Sequence, residues 1–65
     1  MTKSNAIAAA RRKARKIDEP VFVVHEDEFG YGGYDVATSY DLETFYIGAY
    51  TELVVTPDGY VYAEH

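Results

Sequence analysis

The stretch "AIAAARRKARKIDEPVFVVHE", residues 6–26, joins a helix-forming segment directly to a strand-forming one. Its first half is rich in Ala, Arg and Lys, which favour helices, and its second half is a run of Val and Phe, which favour strands. Pro20 separates the two halves, because the residue before a proline is pushed out of the α conformation. The stretch therefore predicts a helix that leads into a strand.

The helix is predicted from Ser4 to Ile17, with Thr2, Ser4 or Asn5 as the N-cap and with its end at Asp18, Glu19 and Pro20. At 100° per residue, the apolar positions fall in one arc about 100° wide. They are Ala6, Ile7, Ala10, Ala14 and Ile17. Most of the basic residues point the other way (Arg12, Arg15, Lys16) or flank the stripe (Arg11, Lys13).

Four segments make up the rest of the predicted fold. "PVFVVHE", residues 20–26, is apolar on both faces, which is typical of a central strand, and "YDVATS", residues 34–39, alternates as its hairpin partner after the turn "DEFGYGG". "SYDLETFYIG", residues 39–48, favours a short helix over a strand, with Ser39 as cap, Gly48 as terminator and Leu42, Phe45 and Tyr46 on one face. "TELVVTPDGYVYAE", residues 51–64, predicts a second hairpin with a type I turn at Pro57 and a left-handed Gly59.

These elements predict one α+β domain over residues 1–65, in the order α-β-β-α-β-β, with the N-terminal helix packed on an antiparallel sheet of about four strands. Residues 1–17 form a basic amphipathic helix, and residues 18–65 form an acidic, Tyr-rich β body. A chain of 65 residues buries a thin core, so a homo-oligomer stays open.

The charges are separated along the chain. All six Lys and Arg lie at or before Lys16, and all eleven Asp and Glu follow it, so residues 17–65 carry a formal charge of −11. Such a surface presents negative charge as a phosphate backbone does and attracts basic clefts. Acids interleaved with Tyr continue to the C-terminus (Asp35, Asp41, Glu43, Glu52, Asp58, Glu64). The predicted partner-binding residues are Glu26, Asp27, Glu28, Tyr31, Asp35, Asp41 and Glu43.

Two alternatives remain open at this point. The basic helix favours a nucleic-acid-binding accessory protein, whose contacts would be Arg11, Arg12, Lys13, Arg15 and Lys16. The acidic body argues against this reading, because it repels polyanions. The second alternative is a small structural or assembly protein whose aromatic surface is a subunit interface.

The residues favour neither an enzyme nor a metal site. The chain has no Cys, Ser4 and Ser39 are predicted as caps, and Asp41 and Glu43 are explained by the dipole of a helix's first turn. His25 precedes three acids, but neighbouring residues on a strand alternate faces and cannot converge on one ion. We therefore expect no catalytic residue, no metal and no cofactor. The absence of Cys, of a long apolar run and of a signal peptide predicts a soluble cytoplasmic protein without membrane contact.

The stretch "YDVATSYDLETFYIGAYTELVVTPDGYVY", residues 34–62, behind a basic Ala-rich helix, resembles small uncharacterised proteins encoded by tailed bacteriophages. The resemblance lies in layout and carries no catalytic or ligand motif, so it transfers no functional residue. It implies an early host-takeover role in the infected bacterial cell, similar to anti-restriction and anti-CRISPR proteins, glycosylase inhibitors that imitate DNA, or inhibitors of host polymerase. The expected partner is a host nuclease, polymerase or defence complex with a basic cleft.

Overall fold

A computed structural model describes residues 1–26, 31–44 and 50–63. Along the chain, these residues form helix α1 (Lys3–Ile17), strand β1 (Val21–His25), a 3-10 turn (Tyr31–Gly33), strand β2 (Tyr34–Ala37), helix α2 (Ser39–Thr44), strand β3 (Tyr50–Val55) and strand β4 (Val61–Ala63). The strands pair antiparallel in the order β2-β1-β3-β4. The predicted α+β class and the order α-β-β-α-β-β are confirmed.

Both ends of α1 are closed by local hydrogen bonds. Of the three candidate N-caps, Thr2 is the residue used, and its Oγ1 accepts a hydrogen bond from the Asn5 N–H at 3.2 Å. Asp18 ends the helix in a left-handed conformation, φ 56°, while its N–H donates to the Ala14 carbonyl. This is the geometry in which a residue just past the last turn satisfies a free carbonyl.

The core lies between α1 and one face of the sheet. Ala6, Ala10 and Ala14 are fully buried and form one cluster with the fully buried Val21, Val23 and Val55 of the sheet. Ile7 and Ile17 pack against the cluster from its sides. The apolar stripe predicted for α1 is confirmed, and its small side chains allow the helix backbone to approach the valines closely.

The opposite face of the sheet is also buried around its centre. The register places Ala37, Phe22, Val54 and Tyr62 in one row across the four strands. Ala37 and Val54 are buried, as is Val24 in the next row of the same face, yet none of these belongs to the cluster under α1. Strand β1 therefore has buried side chains on both faces, as its unbroken apolar run predicts.

The β3–β4 hairpin has the predicted turn. The Gly59 N–H donates to the Thr56 carbonyl at 2.9 Å, and the Thr56 N–H donates to the Tyr60 carbonyl at 2.9 Å. Gly59 has φ 95°, a value that glycine adopts at little cost. This is a three-residue loop in which a left-handed glycine follows a tight turn.

A β-bulge in β3 is absent from the sequence prediction. Val23 pairs with Leu53, but Val24 pairs with Thr51, so Glu52 is an extra residue on β3. A bulge locally redirects side chains and increases the strand twist. Here the bulged residue Glu52 contacts Lys3 of α1, with 3.1 Å between its Oε1 and the Lys3 Nζ.

Two predicted caps are wrong. Ser4 lies inside α1, because Thr2 takes the cap position. Ser39 is the first residue of α2, and the cap is Thr38, whose Oγ1 accepts from the Asp41 N–H at 3.1 Å. The predicted terminator Gly48, with Phe45 and Tyr46, lies outside the described residues, as do residues 27–30 of the first turn.

The first residue of the chain pairs with β2. The Met1 amine donates to the Tyr34 carbonyl at 3.1 Å, and the Tyr34 N–H donates to the Met1 carbonyl at 3.2 Å. Gly32 makes room for this pairing, since a Cβ there would lie 2.6 Å from the Met1 carbonyl oxygen and 2.8 Å from the Thr2 Cα. Gly32 also has φ 77°, so a side chain is disfavoured at this position for two independent reasons.

Replacement of a buried α1 alanine by leucine will separate the helix from the sheet. We expect Ala10→Leu to lower the free energy of unfolding by about 1–3 kcal/mol, because the added atoms overpack the contact with the valines. Ala8→Leu is the matched control, since Ala8 is exposed on the same helix, and it should change stability by less than about 0.5 kcal/mol. Urea unfolding followed by circular dichroism measures both, and equal effects would contradict the packing described.

Two glycine substitutions will separate conformational cost from steric cost. Gly59→Ala should cost about 1 kcal/mol, because φ is positive but no atom lies within 4 Å of the added Cβ. Gly32→Ala should cost at least about 2 kcal/mol, since the same backbone penalty is joined by the collision with Met1 and Thr2. Thermal and urea unfolding of both variants test this order, and a smaller cost at Gly32 than at Gly59 would refute it.

Candidate functional site

The exposed face of α1 carries a row of cations. Arg12, Arg15 and Lys16 are exposed and lie three and four residues apart, so they occupy neighbouring positions on the side of α1 away from the buried alanines. Lys13 is exposed at the flank. The structure brings together the cations that the sequence assigned to one face.

Two other cations contact the β body. Lys3 and Glu52 form the one ion pair among the described residues, and both side chains are partly exposed. The hydrogen bond from Glu52 and the attraction of its charge raise the pKa of Lys3 above its ordinary value. Arg11 donates from its Nε to the Gly59 carbonyl at 3.4 Å, so this predicted nucleic-acid contact lies against the β3–β4 turn.

Predicted partner-binding residues of the described chain lie around β2 and α2. Glu26 follows β1 and pairs with Gly33 through its N–H, which donates to the Gly33 carbonyl at 2.9 Å. Asp35 lies on β2 opposite Val24, and Glu26 follows Val24 by two residues. Both acids therefore lie on the same side of the sheet. Asp41 and Glu43 lie on α2, which contacts β2. Asp27 and Glu28 lie outside the described residues, as does the Tyr31 side chain.

Two of these carboxylates take part in the fold itself. Asp35 Oδ1 accepts from the Val36 N–H at 2.8 Å, and Asp41 Oδ2 accepts from the Thr38 N–H at 3.0 Å. With Thr38 Oγ1 accepting from the Asp41 N–H, the second pair is a reciprocal capping box. Both acids are half-buried, whereas Glu43 is exposed. Of these three predicted partner-binding acids, Glu43 is therefore the one most exposed to solvent.

Together, these contacts occupy the outward N–H groups along β2. Because hydrogen-bonded pairs alternate along antiparallel strands, the Glu26–Gly33 bond makes the backbone groups of Tyr34 and Val36 point away from β1. Met1 pairs with Tyr34, and the Asp35 carboxylate accepts from the Val36 N–H. Just beyond the strand, the Asp41 carboxylate accepts from the Thr38 N–H. Proteins protect edge strands by such devices.

Several exposed groups were absent from the predicted site. Asp18, Glu19 and Asp58 are exposed carboxylates, the last at the tip of the β3–β4 turn. Among the tyrosines whose side chains the structure describes, four are more than half exposed: Tyr40, Tyr50, Tyr60 and Tyr62. The alternation "YVY" at residues 60–62 was the available signal, since it places Tyr60 and Tyr62 on the same face, opposite to Val61.

Within residues 1–26, 31–44 and 50–63, no cavity is enclosed and no group of three potential metal ligands comes together. The described helices are too short and too polar to cross a membrane. Comparisons of the chain with protein-family models, with curated proteins and with solved structures find no match.

The capping role of Asp41 separates it from Glu43 in stability. Asp41→Ala should lower the free energy of unfolding by about 1 kcal/mol, because the Thr38 N–H loses its acceptor. Glu43→Ala removes the same charge from the same helix at an exposed position, and it should stay within about 0.5 kcal/mol of the parent. Urea unfolding measures both values. A cost for Glu43→Ala as large as that for Asp41→Ala would rule out the cap as the cause.

Proposed function

We propose that the chain is a non-enzymatic inhibitor or modulator that binds a basic surface of a nucleic-acid-processing protein. Its acidic side imitates the negative charge of DNA. The proposed setting is the cytoplasm of an infected bacterial cell, with a host nuclease, polymerase or defence complex as the partner, in line with the bacteriophage resemblance. Glu26, Asp27, Glu28, Tyr31, Asp35, Asp41 and Glu43 remain the proposed contacts.

The persistence of the charge separation in the folded chain supports this proposal. Arg12, Arg15 and Lys16 point away from the sheet, and among the described residues only Lys3 and Glu52 form an ion pair. These three cations of α1 therefore form no ion pair with another described residue. The chain keeps a net charge of −5, with all of its Lys and Arg at or before Lys16 and all of its Asp and Glu after it.

A surface of this kind promotes encounter with a cationic groove. Complementary potentials raise association rates and disfavour wrong partners, more than they add raw affinity. Glu43 offers an exposed carboxylate, and Glu26 and Asp35 add charge at the neighbouring strands. Because Asp35 and Asp41 also hold backbone N–H groups, their carboxylates are already oriented when a partner arrives.

The exposed row on α1 favours a second candidate function. Arg12, Arg15 and Lys16 form a cationic helix face next to the small side chain of Ala8, which suits contact with a phosphate backbone. The body of −11 opposes this use at long range. The second candidate therefore requires α1 to face the nucleic acid while the acidic side faces away.

Capture from a bacterial lysate on the immobilised full chain tests the proposal. We expect the captured protein to be eluted by rising salt and by competing duplex DNA, because charge complementarity holds the complex. The acid variant Glu26→Gln/Glu43→Gln should bind the purified partner about five- to thirtyfold more weakly, if each lost pair contributes about 0.5–1 kcal/mol. The matched basic variant Arg12→Gln/Arg15→Gln should bind as the parent does.

Three outcomes oppose the proposal. A complex equally tight at low and high ionic strength removes its electrostatic basis. A partner lost with the basic variant but kept by the acid variant assigns binding to α1 instead. A gel shift of duplex DNA at low salt by the wild-type chain, abolished by Arg12→Gln/Arg15→Gln, establishes the second candidate.

A further inference from the structure

Among the strands that the structure describes, β4 presents an open hydrogen-bonding edge. Thr56 and Tyr60 are hydrogen-bonded, so the alternation along the hairpin makes Val54 and Tyr62 the next bonded pair. The N–H and C=O groups of Val61 and Ala63 therefore point away from β3. In the part of the chain that the structure describes, β3 is the one strand next to β4, and the other side of β4 has no neighbouring strand.

The two edge strands of the sheet, β2 and β4, differ in whether a further strand can pair with them. The outward N–H groups of β2 are already taken, because Tyr34 donates to the Met1 carbonyl and Val36 donates to the Asp35 carboxylate, so β4 of another molecule would meet no free donor there. Head-to-tail growth into a filament is thereby disfavoured. An association of β4 with β4 uses the same edge twice and closes on itself, as two-fold symmetric dimers do.

We propose that β4 pairs antiparallel with β4 of a second copy of this chain, which joins the two sheets into one. Of the possible registers, the one that places Val61 opposite Ala63 of the second copy satisfies the outward groups of both residues. Each N–H then meets a C=O, so the edge is complementary to itself in partial charge. This register also puts Tyr62 opposite Tyr62 of the second copy, on the two-fold axis.

The exposed tyrosines fit this register. Tyr60 and Tyr62 lie on the same face of the sheet, and they are 72% and 52% exposed. The Tyr62 pair is a non-hydrogen-bonded pair, the type in which Cα atoms lie about 4.5 Å apart and side chains meet closely. Aromatic cross-strand pairs stabilise antiparallel strands. The association therefore buries aromatic surface that the single chain leaves in water.

The dimer is expected to be weak and to strengthen with salt. A strand of three residues buries less than the ~1,200 Å² typical of stable interfaces, so dissociation constants on the order of 10⁻⁴ M are expected. Each copy carries a net charge of −5, and salt screens their repulsion. This sign is opposite to that expected for the acidic surface, so the two proposals succeed or fail separately.

Sedimentation equilibrium of the full chain, from about 10 μM to 1 mM and at two salt concentrations, measures the dimer. Tyr62→Lys should raise its dissociation constant at least about tenfold, because two like charges meet on the axis. Tyr50→Lys is the matched control, since it makes the same charge change at another exposed tyrosine, and it should alter the constant less than about twofold. A mixture of Tyr62→Lys with Tyr62→Glu chains should restore association between unlike copies.

Amide hydrogen exchange locates the contact. With rising concentration, the Val61 and Ala63 amides should gain protection, whereas the Tyr34 amide should not change. A monomeric mass at 1 mM in high salt overturns the proposal, as does a dimer that Tyr62→Lys leaves intact. If the chain stays monomeric but a captured partner protects the Val61 and Ala63 amides, a foreign strand occupies the edge and the second copy is excluded.

Discussion

The contact between the alanines of α1 and the valines of the sheet is the interaction on which the rest of the structure depends. Ala6, Ala10 and Ala14 recur every four residues, so they form one narrow row, and all three are fully buried. Their methyl groups set a short distance between helix and sheet. That distance places Lys3 beside Glu52 and Arg11 beside the Gly59 carbonyl. It also places Met1 against β2.

The same contact determines where the charges go. Once the alanine row faces the sheet, Arg12, Arg15 and Lys16 have to face solvent, because they lie on the far side of the helix. The described carboxylates of the body then differ in their surroundings. Asp35 and Asp41 accept from backbone N–H groups, Glu52 pairs with Lys3, and Glu43 remains exposed. The chain is therefore polarised, with cations along α1 and acids on the body.

The sheet edges add a second asymmetry. Met1 and the Asp35 carboxylate occupy the outward N–H groups of β2, so a residue of the proposed binding surface also protects an edge strand from pairing. At β4, the exposed side chains are tyrosines, which offer contact area with a polar tip. The proposed acidic binding surface and the proposed strand-pairing edge therefore lie at different places, the first around β2 and α2 and the second at β4. They also differ in physical character, since we expect salt to weaken the proposed binding of a basic partner and to promote the proposed pairing of two β4 strands.

Local patterns in the sequence determined the elements of this protein and the charge on each. The alanine spacing, Pro20 and the "TPDG" turn predicted α1, β1 and the second hairpin with their order, because helix faces, strand alternation and turns depend on near neighbours. Only the tertiary structure decided the bulge at Glu52, the Met1–Tyr34 pairing, Thr38 as the cap and the structural use of Asp35. Those features depend on which backbone groups remain unpaired once distant segments meet, and a pattern of neighbours along the chain does not contain that information.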